Sequence, residues 1–115
     1  YDLGYNVVTM GEFKKRGIDD VIREILDKIG DNPLYITFDL DSLDATVAPA
    51  VSNIEPGFTG FTIDEAKALI QSVKNKNVIG GDVVCLMPTK DQKNNITSMV
   101  AASIMFEIIS VIACN

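Results

Sequence analysis

The sequence has no histidine and no tryptophan, and its only two cysteines, Cys85 and Cys114, stand far apart. With so few of these residues a Cys/His zinc cluster or a disulfide framework is not expected, and a reducing, cytoplasmic setting is the matching expectation. Basic residues are also few. Ten Lys and Arg face sixteen Asp and Glu, a net charge of −6. Neutralising phosphates needs the opposite balance, so nucleic acid is not an expected partner. No basic-then-apolar leader opens the chain, so no secretion signal is read there. What is present is 115 residues, 47% apolar and 23% charged. That is the size of one domain with a thin core, and too apolar for a disordered chain.

The hydrophobic pattern alternates between strand-like and helix-like stretches. Tyr5 to Met10 reads as a short strand. Ile18, Val21, Ile22, Ile25, Leu26 and Ile29 fall on one face of a helix, with Asp19 and Asp20 in its first turn and Lys28 in its last. Gly30 and Pro33 end it. Leu34 to Phe38 is β-branched and aromatic and runs directly into Asp39, a buried strand ending in an acid. From Leu40 to Gly60 there is no helical period, and a loop of that length in a small domain is expected to be functional or disordered. Thr62-Ile-Asp-Glu65 is a capping box that opens a helix to about Val73. Val78 to Leu86 reads as a second buried strand, Pro88 to Asn95 as a polar loop, and Ile96 to Ala113 as an apolar helix whose one charge is Glu107. Glu107 and three serines in that last helix, with its length short of the ~20 apolar residues of a bilayer span, argue against a membrane segment. The order of elements predicts an α/β fold: three layers, a parallel sheet flanked by helices.

The chemically informative stretch is Thr37-Phe-Asp39-Leu-Asp41-Ser-Leu-Asp44. In an extended chain residues i and i+2 share a side at ~6.5–7 Å, so Asp39 and Asp41 project together from a strand end. The carboxyl ends of strands in open α/β sheets are where ligands bind. Two carboxylates held close repel unless a cation lies between them, and oxygen donors favour a hard divalent ion. The bland alternative is an aspartate capping a turn with its neighbour solvated. An EF-hand is excluded, because its fifth, sixth and twelfth positions would be Leu43, Asp44 and Ala50. A phosphatase of the haloacid-dehalogenase type, with Asp39 as nucleophile, also places D-x-D at a strand end, but it continues with Gly-Thr where this chain has Ser42-Leu43.

A third pattern fits more positions. Asp39-Leu-Asp41-Ser-Leu-Asp44, then Ala48-Pro-Ala50, Glu55-Pro-Gly57, Gly60-Phe-Thr62, the strand Val78 to Val84, the Pro88 turn and the alanine-bearing final helix together resemble the ureohydrolase family of arginases, agmatinases, guanidinobutyrases and formimidoylglutamases. The resemblance implies an arginase/deacetylase-like α/β fold and a binuclear manganese hydrolase, with Asp39 and Asp41 as metal ligands. In such enzymes a water shared by the metals is acidified and attacks the carbon of a small guanidino or formimino substrate. It further implies a homo-oligomer, a trimer or hexamer. Asp44 is read as an organiser of the turn and Glu55 as a solvated loop acid.

Three departures from the family pattern stand out. The histidine and aspartate ligands that relatives carry on earlier strands have no counterpart, so residues 1–115 are read as the C-terminal portion of a single longer domain. Cys85 stands where many relatives have the glutamate that pairs with the guanidinium, and a thiol cannot supply its charge-assisted bonds. Cys85 is accordingly read as an inert thiol, and a catalytically silent subunit or regulator is the alternative function. Phe58 stands where a glycine is common, which leaves substrate identity open.

Overall fold

The computed structural model describes residues 3–51 and 59–114. Among the described residues, four helices and two strands follow one another as α1 (Met10–Arg16), α2 (Ile18–Ile29), β1 (Leu34–Asp39), α3 (Ile63–Gln71), β2 (Val78–Val84) and α4 (Ile96–Ala113). Short 3-10 turns cover Leu40–Ser42 and Pro88–Lys90. β1 and β2 pair in parallel, as a strand–helix–strand connection requires, giving the α/β class expected from the sequence. The register skips one residue, from Leu34↔Val78 to Tyr35↔Gly80, and then runs evenly to Asp39↔Val84.

β1 is buried on one face, not both. Along β1, Leu34, Ile36 and Phe38 turn inward while Tyr35, Thr37 and Asp39 are exposed, the period of two that a pleated strand imposes. The inward face meets α4. A Cβ on Gly81 would lie 2.6 Å from Cγ2 of Ile108 and 2.9 Å from the Ile36 carbonyl oxygen, so only glycine lets the helix approach this closely. Ile104, Ile108 and Val111 of α4, Ala66 and Ile70 of α3, and Leu40 and Leu43 of the turn after β1 form one continuous core. Each large aliphatic side chain fully buried there contributes roughly 1.5–3 kcal/mol.

α4 is long and apolar enough by length and composition to cross a membrane, yet here it packs against β2 and α3. Glu107, its single charge, is met by Lys67 at 3.6 Å and by the amide of Gln71 at 2.9 Å. The capping box of α3 forms as expected: the Glu65 N–H donates to Thr62 Oγ1 and the Thr62 N–H to Glu65 Oε1.

The strand expected over Tyr5 to Met10 is absent. Residues 5–9 carry no regular structure, and Met10 opens α1. A strand needs a neighbour, and among the described residues none pairs with this segment. Thr9 instead accepts the Glu12 N–H at 3.1 Å and caps a helix, which is held by the edge-on contact of Phe13 with Phe61, 5.0 Å between ring centres.

Candidate metal centre

β1 delivers Asp39 to the end of the sheet, and the chain then turns at once. Oδ1 of Asp39 accepts the Asp41 N–H at 2.8 Å and so caps the 3-10 turn Leu40–Ser42. The Ser42 hydroxyl donates back to the Asp39 carbonyl at 2.7 Å. Leu40 and Leu43 anchor the turn in the core. Two backbone bonds pin it to the segment before α3: Phe61 N–H to the Ser42 carbonyl at 2.9 Å, and Asp44 N–H to the Phe61 carbonyl at 3.0 Å. Gly60 permits this contact, since a Cβ there would lie 2.6 Å from the Asp44 nitrogen.

The two aspartates therefore converge by a different route from the one the pleat suggests. Asp41 lies in the turn, beyond the strand, and the Asp39 cap draws its backbone inward. The capping interaction and the shared side coexist, because a single carboxylate oxygen of Asp39 serves the turn.

A third donor joins them from the neighbouring strand. Parallel strands end at the same edge of a sheet, and the register sets Val84 opposite Asp39, so Cys85 follows directly beside the acids. Cys85 has a positive φ of 73°, in the left-handed region that side chains other than glycine and asparagine seldom adopt. One ligand atom from each of Asp39, Asp41 and Cys85 lies within 4.8 Å of the others. A hydrogen bond to Asp39, partial burial, and the negative charges of Asp39 and then Asp41 all push the Cys85 thiol above its ordinary value. A thiol raised in this way is a poor nucleophile. Two carboxylates and a thiol are a donor set able to hold a divalent cation.

Behind the turn, the loop Ala48–Val51 is tied to the segment after Cys85. The Met87 N–H donates to the Ala50 carbonyl at 2.9 Å, and the Ala50 N–H to the fully buried Thr97 hydroxyl at 3.1 Å. Asp91 closes the arrangement by accepting the N–H groups of Thr97 at 3.1 Å and Ser98 at 2.8 Å, with the Ser98 hydroxyl at 2.7 Å. Burial opposes its charge, but these bonds and that from the Gln92 N–H outweigh it and hold Asp91 at about 2.

Asp44 organises the turn as expected. Its Oδ1 accepts the Thr46 hydroxyl at 2.6 Å and the Thr46 N–H at 2.9 Å, and these bonds lower its carboxyl below the usual range. Glu55 and Phe58, singled out in the sequence, lie outside the described residues. Cys85 is the member of the cluster that pattern reading set aside. The signal for it is parallel pairing, which puts the residue that follows β2 next to the residue ending β1.

Comparison with known proteins places these features in context. The model of the family described as "Arginase family" matches residues 1–110. The agmatinase of Enterobacter sp. (strain 638) is 38% identical over 108 residues, which cover 94% of this chain and 34% of that protein. Among solved structures, the proclavaminate amidino hydrolase of Streptomyces clavuligerus superimposes with a TM-score of 0.89 at 32% identity, covering 96% of this chain and 37% of that one. A hypothetical agmatinase from Burkholderia thailandensis gives 0.84 at 31% identity, covering 95% and 33%. The chain spans about a third of the length of the curated relatives it matches.

Proposed function

Because this chain belongs to the arginase family, we propose that it is the C-terminal portion of a metal-dependent hydrolase domain that cleaves a C–N bond in a small guanidino or formimino compound. The observation that carries this reading is the convergence of Asp39 and Asp41 where β1 ends, in a chain the family matches over nearly its whole length. In this reading Asp39 and Asp41 are ligands to a divalent metal pair, manganese being the ion implied by the resemblance. Their two carboxylates fit it: their charges favour a cation, and their oxygens suit a hard one. Such a pair, when bound, supplies a water acidified to near neutrality and stabilises charge as the C–N bond breaks.

The residues of this chain do the positioning. The cap from Asp39 to the Asp41 N–H fixes the spacing of the two acids, and the contact across Gly60 holds their turn against the core. A relative named for agmatine and another named for an amidino substrate support the guanidino class.

The deciding assay uses the full-length protein loaded with manganese. Urea or ammonia release is followed for agmatine, arginine, guanidinobutyrate and formiminoglutamate. Metal-dependent turnover that Asp39→Asn abolishes supports the hydrolase. Phosphate release from small phosphoesters, with an acyl phosphate trapped on Asp39, would overturn it.

One observation favours a second reading. By the family resemblance Cys85 stands where many relatives carry the glutamate that pairs with the guanidinium, and its hydrogen bond to Asp39, partial burial and the nearby negative charges push its thiol above the ordinary value. A silent homologue serving as a subunit or regulator follows if the full-length protein folds but neither takes up metal nor turns over any of these substrates.

A further inference from the structure

The third donor changes the kind of ion this centre should prefer. A pair of carboxylates alone suits magnesium, calcium or manganese, whereas a sulfur donor selects for zinc, cobalt(II) or iron(II). Zinc sites combine cysteine sulfur and aspartate oxygen in one coordination sphere. Here the thiol follows β2 whereas the acids lie at and just after the end of β1, and one ligand atom from each of the three residues lies within 4.8 Å of the others. Val84 pairs with Asp39, so Cys85 is the first residue beyond the paired sheet, on the same edge as the acids. The other thiol, Cys114, is exposed beyond α4 and is not a member of this cluster.

We infer that Cys85 is a metal ligand alongside Asp39 and Asp41, and that it shifts the preference of this centre from manganese towards a borderline, thiol-accepting divalent ion such as zinc or cobalt(II). The inference rests on the proposed metal-binding role of the two aspartates and adds to it a ligand and a selectivity. Binding requires that the thiol give up its proton to solvent, so one proton is released per ion bound through Cys85. The bound ion supplies the positive charge that makes a thiolate tolerable next to two carboxylates.

Cobalt(II) tests this directly, because a cobalt–thiolate bond produces a near-ultraviolet charge-transfer band, whereas visible ligand-field bands report cobalt bound by any donors. The full-length protein, stripped of metal and carrying Cys114→Ser to silence the exposed thiol, is titrated with cobalt chloride with and without Cys85→Ser. The expected result is a charge-transfer band that saturates at one thiolate per site. Cys85→Ser should abolish that band, keep the visible bands, and weaken cobalt binding about tenfold or more relative to manganese. Visible bands with no charge-transfer band in the protein that retains Cys85 would overturn the inference and leave the metal role of the aspartates standing. Absence of cobalt and manganese uptake alike would overturn both.

Discussion

Oδ1 of Asp39 accepts the backbone N–H of Asp41 at 2.8 Å, so the first acid of the pair builds the turn that presents the second. This gives Asp39 two separable duties, a structural one at one oxygen and a charged one for the whole group. Asp39→Asn keeps an oxygen acceptor and should leave thermal stability nearly unchanged while metal uptake by the full-length protein is lost. Asp39→Ala should lose metal uptake and also about 1 kcal/mol of stability, the ordinary worth of a cap. Calorimetric metal titration alongside urea denaturation of the two variants separates the duties.

Gly60 and Gly11 make a contrasting pair. A Cβ on Gly60 would meet the Asp44 nitrogen, the Leu43 carbonyl carbon and the Ser42 oxygen at 2.6–2.7 Å, all backbone atoms that cannot swing aside. Gly60→Ala should therefore cost about 1–3 kcal/mol and weaken metal binding by displacing the turn. A Cβ on Gly11, inside α1, meets nothing nearer than Thr9 Oγ1 at 3.9 Å, so Gly11→Ala should stabilise by about 0.5–1 kcal/mol. Equilibrium denaturation checks both signs.

Thr97 is fully buried and accepts the N–H of Ala50, itself buried, at 3.1 Å. Valine has nearly the same shape but no acceptor, so Thr97→Val strands a buried donor and should cost about 1–3 kcal/mol. Thr97→Ser keeps the acceptor and should restore most of the hydrogen-bond contribution, at the smaller expense of one methyl group. Denaturant midpoints of the three proteins decide it.

The start of α4 should resist acid. Asp91 is held at about 2, below its ordinary value near 3.8. A carboxyl whose folded value is lowered contributes stability above the unfolded value, and that contribution fades as pH falls from about 3.8 towards 2. Asp91→Asn should lower stability at neutral pH and flatten the loss between those limits. Thermal melts at a series of pH values, with the Asp91 carboxyl followed by NMR, give both the slope and the titration point.

Much of this fold could be read directly from the chain. The spacing from Ile18 to Ile29, the capping box at Thr62 and the apolar run from Ile96 to Ala113 are local signals, and each produced its helix. The acids at the end of Leu34–Asp39 were equally plain, because a hydrophobic strand running into a carboxylate needs no distant partner to be noticed. What escaped depends on contacts remote in sequence. α1 buries only Phe13, whose partner Phe61 lies 48 residues on, so nothing in the spacing of seven residues announces a helix. The role of Asp91 was hidden because it serves the N–H groups of Thr97 and Ser98 from several residues upstream, across a loop, while Asn95 occupies the formal cap. Cys85 stands out in the sequence as a departure from the family pattern, but its place within 4.8 Å of the two acids depends on strand pairing more than 40 residues away in sequence.

The extra residue taken up between Val78 and Gly80 has an effect at the opposite end of the strands. Because that irregularity sits upstream, it absorbs a change of chain length without disturbing the acids: omission of Ile79 would simply regularise the ladder and keep Val84 facing Asp39. The same omission a few steps later, at Val83, would draw Leu86 into the post of Cys85 and exchange a sulfur for a hydrocarbon. Length is thus forgiving on one side of Gly80 and exacting on the other, and insertions or deletions in natural variants that keep the chemistry should gather on the forgiving side.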